Sequence, residues 1–282
     1  MRNTFDAFLD VPVIHPAAAS FERVAAEYDF GRPSWPSAAV ESLGLPRSAV
    51  VLDLGAGTGK LTRVLLRHFD QVIAVEPLDG MRALIPKKAE TLAGTAEAIL
   101  LSDESVDAVF CGESFHWFDW PRALDEIARV LRPPGTLALF WNQNPEDGTR
   151  PWPKQVDAVL DRAKDSRGEK RYRSFAWRDA FEGTQFEELR HEVFPHEETL
   201  SPEALLARIG SWSQLTSRPP EVREKLLSEL ADYLTEPSYR VRLETQAYST
   251  RRVSERCLTT IIDHKHQMIN KIDNETQNPN QR

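Results

Sequence analysis

The sequence predicts an α/β fold. A mostly parallel sheet is expected, with helices on both faces, an antiparallel last strand and a helical insertion before that strand. Three observations predict it. Short apolar runs at 49–54, 71–77, 106–112 and 136–142 alternate with segments whose apolar residues recur every three or four positions. A continuous apolar run suits a strand covered on both sides, and helices between such runs join parallel neighbours. The first run, AVVLDL, ends in Asp53 and passes directly into a glycine turn that opens a helix.

The elements follow in order. Residues 1–20 read as a loose arm, and FERVAAE (21–27) as a short helix broken by FGRPSWP. A second short helix is expected at 37–43. The strand 49–54 leads into GKLTRVLLRHF (59–69), where Leu61, Val64, Leu65 and Phe69 share one helical face. The strand QVIAVEP (71–77) precedes a short helix, LDGMRALIPKKA, and a weaker strand near 92–99. After VDAVFCG (106–112), the segment PRALDEIARVLRP (121–133) places Leu124, Ile127, Ala128 and Leu131 on one face. TLALFWN (136–142) is the next strand. Residues 143–215 then turn rich in Trp, Pro and charge, with helices expected near 153–165 and 202–212. PEVREKLLSELADYL (220–234) is a helix with a proline start, and the alternating VRLETQAYSTRRV (241–253) is the closing strand. The remainder, 254–282, is a polar tail of disordered composition.

Composition narrows the class of partner. The hydrophobic fraction of 41% builds an ordinary core, and no apolar run approaches the roughly 20 residues that span a bilayer. No membrane partner is expected, and the N-terminus lacks the basic-then-apolar pattern of a signal peptide. A net charge of −8 repels phosphate backbones, so no nucleic-acid partner is expected either. The most basic stretch, RAKDSRGEKRYR (162–173), also holds Asp165 and Glu169 and reads as a solvated helix-loop. Two cysteines, Cys111 and Cys257, make neither a metal cluster nor a disulfide framework, so no metal is expected and the cytoplasm is the expected compartment.

The chemistry lies in Asp53-Leu54-Gly55-Ala56-Gly57-Thr58-Gly59. Glycine lets the backbone turn sharply and lets a ligand approach the main chain. In doubly wound sheets this turn seats a nucleotide-like ligand. The dinucleotide pattern G-x-G-x-x-G fails because Lys60 stands at its last glycine. The P-loop pattern fails at Leu54 and Leu61. A second carboxylate, Glu76, ends the next strand, 21 residues after Gly55, where it can accept hydrogen bonds from both hydroxyls of a ribose.

The pattern D-x-G-x-G-x-G resembles the first motif of the class I, Rossmann-like S-adenosylmethionine (SAM)-dependent methyltransferases. RALDEIARVLRPPG resembles that family's R-V-L-[KR]-P-G-G signature, with Pro134 in place of the first glycine of the pair. The likeness is strongest to the methyltransferase-type-11 group. Within it, Tyr28-Asp29-Phe30-Gly31-Arg32-Pro33 and His116-Trp117-Phe118 resemble the small-molecule enzymes related to trans-aconitate methyltransferases. The resemblance covers about 21–142 and returns at 241–253.

That resemblance implies SAM as cofactor and a small-molecule acceptor, with a carboxylate or hydroxyl as the methylated group. It implies cofactor contacts from Asp53, Gly55, Ala56, Gly57, Gly59, Glu76 and Pro77, with Leu78 either on the adenine face or in the core. Thr95, Ala96 and Glu97 fall where the family receives the adenine edge, although family members often carry Asp at the position of Thr95. Gly112 and Glu113 fall beside the methionine part. Tyr28 and Arg32 either reach that end or close a lid, against the plainer alternatives of a helix cap and a surface ion pair. Trp35, Trp117 and Trp141 are candidates to line the acceptor pocket, with Trp152 and Trp177 on nearby loops. His116 either acts as general base or shapes the pocket. The domain plan is an arm (1–20), a methyltransferase domain (21–253) and the tail (254–282). Within the domain lie a SAM-binding core (45–142), a substrate-side insertion (143–240) and the closing strand (241–253). A protein that binds SAM without turnover, or an NAD-binding protein, are the alternatives.

Overall fold

Alternation along each strand sends its side chains to two opposite cores, and this builds the layers. The computed structural model describes residues 14–163 and 176–253. In β1 (Val50–Leu54), Leu52 and Leu54 enter one core while Val51 enters the other. β2 (Gln71–Val75) and β4 (Val106–Gly112) split in the same way. One face is covered by α3 (Ser37–Glu41) and α4 (Lys60–His68), the other by α6 (Trp120–Val130). Leu61, Val64 and Leu65 of α4, and Leu124, Ile127 and Ala128 of α6, are buried at the spacing an amphipathic helix requires.

The sheet has seven strands in the order β3-β2-β1-β4-β5-β7-β6. β3 is Glu90–Leu92, β5 Leu131–Gln143, β6 Arg190–Leu200 and β7 Tyr239–Arg251. β1 to β5 pair in parallel, and β7 runs antiparallel to both β5 and β6. The chain leaves β1 toward β2 on one side and returns to β4 on the other. A crevice therefore opens beyond the carboxyl ends of β1 and β4, the place where such sheets bind ligands. A third core lies beneath the insertion. There α7 (Lys154–Ala163), α8 (Pro202–Gly210) and α10 (Pro220–Tyr233) pack Val156, Val159, Leu205, Ile209 and Leu230 against Val241 and Leu243 of β7.

Several elements differ from the sequence expectation. β6 lies within the stretch read as helical and loop. Its side chains are exposed or half-buried and Pro195 interrupts it, so it carries no apolar signal; backbone pairing with β7 makes it a strand. The weak strand expected near 92–99 is β3, at Glu90–Leu92; Gly94–Ala98 is a turn closed by a bridge between Thr95 and Ala98. The helix expected to reach residue 133 stops at Val130, because Leu131 pairs with Val106. The helix after β2 is a single turn, α5 (Asp79–Arg82). Residues 14–20 are not loose. They contain α1 (Pro16–Ala19), and a 3₁₀ turn (Ser20–Val24) leads into α2 (Ala25–Gly31). Ser20 Oγ lies 2.6 Å from Thr216 Oγ1, in the short helix α9 (Ser213–Thr216), and Arg23 donates to the Thr216 carbonyl at 3.0 Å. Most of the basic stretch, the tail 254–282 and Cys257 lie outside the described residues.

Candidate functional site

A cavity of about 1250 Å³ opens over the carboxyl ends of β1, β2, β4 and β5 and runs outward to the insertion. Every residue predicted for the site lines it except Gly59. Gly59 is buried at the start of α4 with φ 82°, and a Cβ there would lie 2.8 Å from Pro86 Cδ. Close packing against the 85–86 turn explains that glycine; a ligand contact does not.

Gly57 serves the opposite purpose. Its φ of 57° is left-handed, yet a Cβ would meet only Met81 Cε at 3.5 Å. The space before it is open to the cavity. Its amide donates to Glu76 Oε2 at 2.8 Å, and the Leu78 amide donates to Glu76 Oε1 at 3.0 Å. Two backbone donors therefore fix the Glu76 carboxylate at the end of β2. Each oxygen keeps lone pairs for a further donor. Burial pushes this carboxyl above the usual range, against the pull of the two amides.

Asp53 is buried at the end of β1. Thr62 Oγ1 donates to its Oδ2 at 2.6 Å, and Oδ1 has no partner. Desolvation pushes its pKa up to about 7. Thr95 Oγ1 is likewise buried and unpartnered at the cavity wall. Both atoms thus keep unused hydrogen-bonding capacity at the cavity wall. Pro77, Leu78 and Ala96 complete that end, while Glu97 accepts from the Asp119 amide at 2.8 Å and braces the loop before α6.

Beyond β4 the wall is shaped by packing. A Cβ on Gly112 would lie 2.9 Å from Trp35, so this glycine lets the indole cover the strand end. Glu113 follows with φ 54°, and its carboxylate accepts from the Asn142 amide at 2.9 Å. Burial pushes the Glu113 pKa up to about 7, opposed by Arg32. Arg32 lies over the Tyr28 ring at 4.8 Å and donates through Nε and Nη2 to Ser211, each at 2.9 Å. It ties α2 to the insertion; it also closes α2 as its C-cap residue, its amide donating to the Tyr28 carbonyl at 2.9 Å, and it forms no ion pair among the described residues.

His116 is buried, and Trp141 Nε1 donates to its Nδ1 at 3.1 Å. Burial first, and the charge of Arg32 second, push its pKa down to about 3. Trp141 stacks on Trp177 at 4.8 Å, and Tyr248 packs edge-on against both. Trp117 lies 6.1 Å from Phe21 and 5.1 Å from His15, under the N-terminal segment. Trp152 and Trp212, from the insertion, close the far end.

Sequence reasoning missed Lys60, Met81, Arg208, Trp212 and Tyr248, which also line the cavity. Lys60 stands beside the glycine motif and was legible by adjacency. Arg208 and Tyr248 belong to an amphipathic helix and an alternating strand, and neither pattern distinguishes them from ordinary surface and core. Among the described residues no helix is long and apolar enough to cross a membrane. No described group of three or more His, Cys, Asp or Glu is placed to hold a metal ion.

Known proteins share this arrangement. Residues 52–139 match the methyltransferase domain family. An uncharacterized methyltransferase-like protein of Schizosaccharomyces pombe is 37% identical over 228 residues, covering 79% of this chain and 86% of that protein. A solved structure, described provisionally as a type II methyltransferase of Anaeromyxobacter dehalogenans, superimposes with a TM-score of 0.61 at 26% identity, covering 79% of this chain and 99% of that one. The phosphoethanolamine N-methyltransferase 2 of Haemonchus contortus, solved with S-adenosylhomocysteine (SAH), shares the fold at a TM-score of 0.50 and 15% identity, covering 86% of this chain and 61% of that one. With a seven-stranded sheet of this order, a glycine turn after β1 and a carboxylate at the end of β2, the chain belongs to the methyltransferase family.

Proposed function

We propose that this protein transfers a methyl group from SAM to a small-molecule acceptor. The observation that carries the reading is the Glu76 carboxylate, held by the Gly57 and Leu78 amides at the cavity edge. The residues present fit SAM: unpartnered Asp53 Oδ1 and Thr95 Oγ1, and the open space before Gly57, give polar and steric room at both ends of such a ligand. Glu76 would hold the ribose hydroxyls, Thr95 and Ala96 the adenine edge, Leu78 an adenine face, and Asp53, Gly55, Glu113 and Tyr28 the methionine end. Bound there, SAM supplies a methyl group on a sulfonium, which needs little beyond alignment with the acceptor.

The chain's own residues favour a turnover site over a SAM store. Trp117, Trp141, Trp177 and Tyr248 give the cavity an aromatic lining in which an acceptor could be held. His116 faces this lining as a neutral ring whose Nδ1 is already occupied by the Trp141 N–H. It shapes the pocket and does not take a proton. The net charge of −8 supports an acceptor other than nucleic acid, and residues 143–240 are the part that sets its identity. The cytoplasm is the compartment proposed.

Calorimetry with SAM and SAH tests the cofactor, with micromolar or tighter binding expected. A screen of small acceptors for SAH release then tests turnover. Absence of binding by either ligand to folded protein overturns the reading, and binding of NAD in its place restores the dinucleotide alternative.

A further inference from the structure

β6 is the outermost strand of the sheet, and among the described residues no element pairs with its free edge. It runs for 11 residues and is held in the sheet by β7 alone. A long bare edge offers unpaired N–H and C=O groups to any other strand. Here polar ends flank a short apolar centre, Val193-Phe194-Pro195. Val193 is 44% exposed, and Phe194 is half-buried against the core beneath α3 and α4. Pro195 has no N–H to give, which protects the edge from indiscriminate strand addition.

The order of charges along this edge is complementary to itself. Laid antiparallel on a second copy about Phe194, the strand sets Glu192 opposite His196, His191 opposite Glu197 and Arg190 opposite Glu198. Every acid meets a basic side chain. Phe194 meets its own copy, and Val193 meets Pro195. Directly opposed residues have Cβ atoms about 4.5–5.5 Å apart, where opposite charges and aromatic rings attract. Every slip of one or two residues sets like groups opposite each other: Glu192 on Glu197 or Glu198, or His196 on His191 or Arg190. The missing Pro195 N–H removes at most one bond on each side of the axis. Glu197 pairs with Arg240 at 3.3 Å within its own chain, and Glu198 is held by Arg208 and the Ser34 amide. Glu192 makes no side-chain hydrogen bond or ion pair among the described residues, so the Glu192–His196 pair carries most of the match.

We propose that β6 is the contact of a two-fold homodimer, in which an antiparallel β6–β6 pair centred on Phe194 joins the two seven-stranded sheets. A two-fold axis makes identical strands antiparallel and uses up both free edges, so the assembly closes at two copies. The contact lies behind the wall of the cavity. His191 stacks on Tyr248 at 4.3 Å, and Glu198 pairs with Arg208; both supported residues line the cavity. The dimer steadies that wall from outside, and it does not depend on the methyltransferase reading.

Sedimentation equilibrium of the full-length protein from about 1 to 100 µM tests this, with thermal unfolding to confirm that each variant is folded. The mass is expected to rise from 32.0 kDa toward twice that value. Glu192→Lys, which sets a cation opposite His196, is expected to weaken association about tenfold or more. Adding His196→Glu to Glu192→Lys exchanges the two charges and is expected to restore it. Val193→Lys places a charge at the apolar centre and is expected to leave a monomer of near wild-type thermal stability, since Val193 is exposed. A wild type that stays at 32.0 kDa throughout overturns the proposal. So does a dimer unaffected by Glu192→Lys and Val193→Lys, which places the contact elsewhere. A folded exchange variant that does not recover overturns the register centred on Phe194. If the exchange variant does not fold, Glu192→Lys and Val193→Lys decide the matter alone.

Discussion

Trp141 Nε1 donates a hydrogen bond to Nδ1 of His116 at 3.1 Å, and both rings are buried. An occupied Nδ1 places the ring hydrogen on Nε2, so neither nitrogen is free to accept a proton from an acceptor. Burial and the charge of Arg32, which push its pKa down to about 3, keep the imidazole neutral at neutral pH. His116→Ala is therefore expected to lower kcat less than about tenfold, against the 10²–10⁴-fold typical of a lost general base. The turnover profile of the wild type is expected to show no acidic limb near pH 6.5. Steady-state kinetics across pH 5–9 on both proteins checks this; a large loss of kcat with normal SAM binding overturns it.

Glu76→Gln is expected to weaken SAM by about 10- to 100-fold, the effect of losing a charged hydrogen-bond acceptor. Fold stability is expected to hold or rise at neutral pH, because burial makes the ionised carboxyl unfavourable in the empty site. Calorimetry and thermal unfolding on the same preparations separate the two effects. Unchanged affinity would make Glu76 a brace for the Gly57 turn and nothing more.

Asp53 ties stability to pH. Its folded pKa of about 7 lies above the value of about 3.9 for an unfolded chain, so the folded state holds the proton more tightly. The stabilisation is complete below about pH 4 and is lost as pH rises through 7, by at most about 4 kcal/mol. Glu113, also pushed up to about 7, acts in the same direction. Denaturant unfolding of ligand-free protein is expected to show stability falling from pH 5 to 8. Asp53→Asn should flatten that slope, gain stability at pH 8 and lose SAM affinity. An equal slope in the variant would disprove the assignment.

Gly57→Ala separates conformation from ligand. The left-handed φ of 57° costs an alanine about 1–2 kcal/mol, but the nearest atom to the new methyl is Met81 Cε at 3.5 Å. The variant is expected to fold with a modest drop in Tm and to lose SAM binding by steric exclusion. Gly59→Ala should do the reverse in proportion, destabilising the fold more, since its methyl would meet Pro86 at 2.8 Å. Similar losses of stability in both variants would contradict the distinction.

The cofactor end of this site is local in sequence. Asp53, Gly55 and Gly57 lie within five residues, and Glu76 ends the next apolar run, so strand periodicity and glycine spacing alone place them together. For the same reason the order of strands and helices from 49 to 142 was legible: each element buries its own apolar residues at its own period. Small errors of boundary came from pairing, as where Leu131 joins Val106 and ends a helix early.

The rest of the cavity was legible only in part, through Trp35, His116, Trp117 and Trp141, because its other parts are brought together from distant segments. Arg32 reaches Ser211 across 179 residues, and Ser20 reaches Thr216 across 196. β6 holds no apolar pattern and exists as a strand because β7 offers it an edge. The unpartnered nitrogen of Arg208 and the occupied nitrogen of His116 are facts of three-dimensional neighbourhood. The sequence by itself determined the parallel sheet, the glycine turn and the paired carboxylates, since periodicity and short-range geometry encode them. Only the tertiary structure decided which rings and cations line the rest of the cavity, since burial and partnership depend on what the rest of the chain packs beside them.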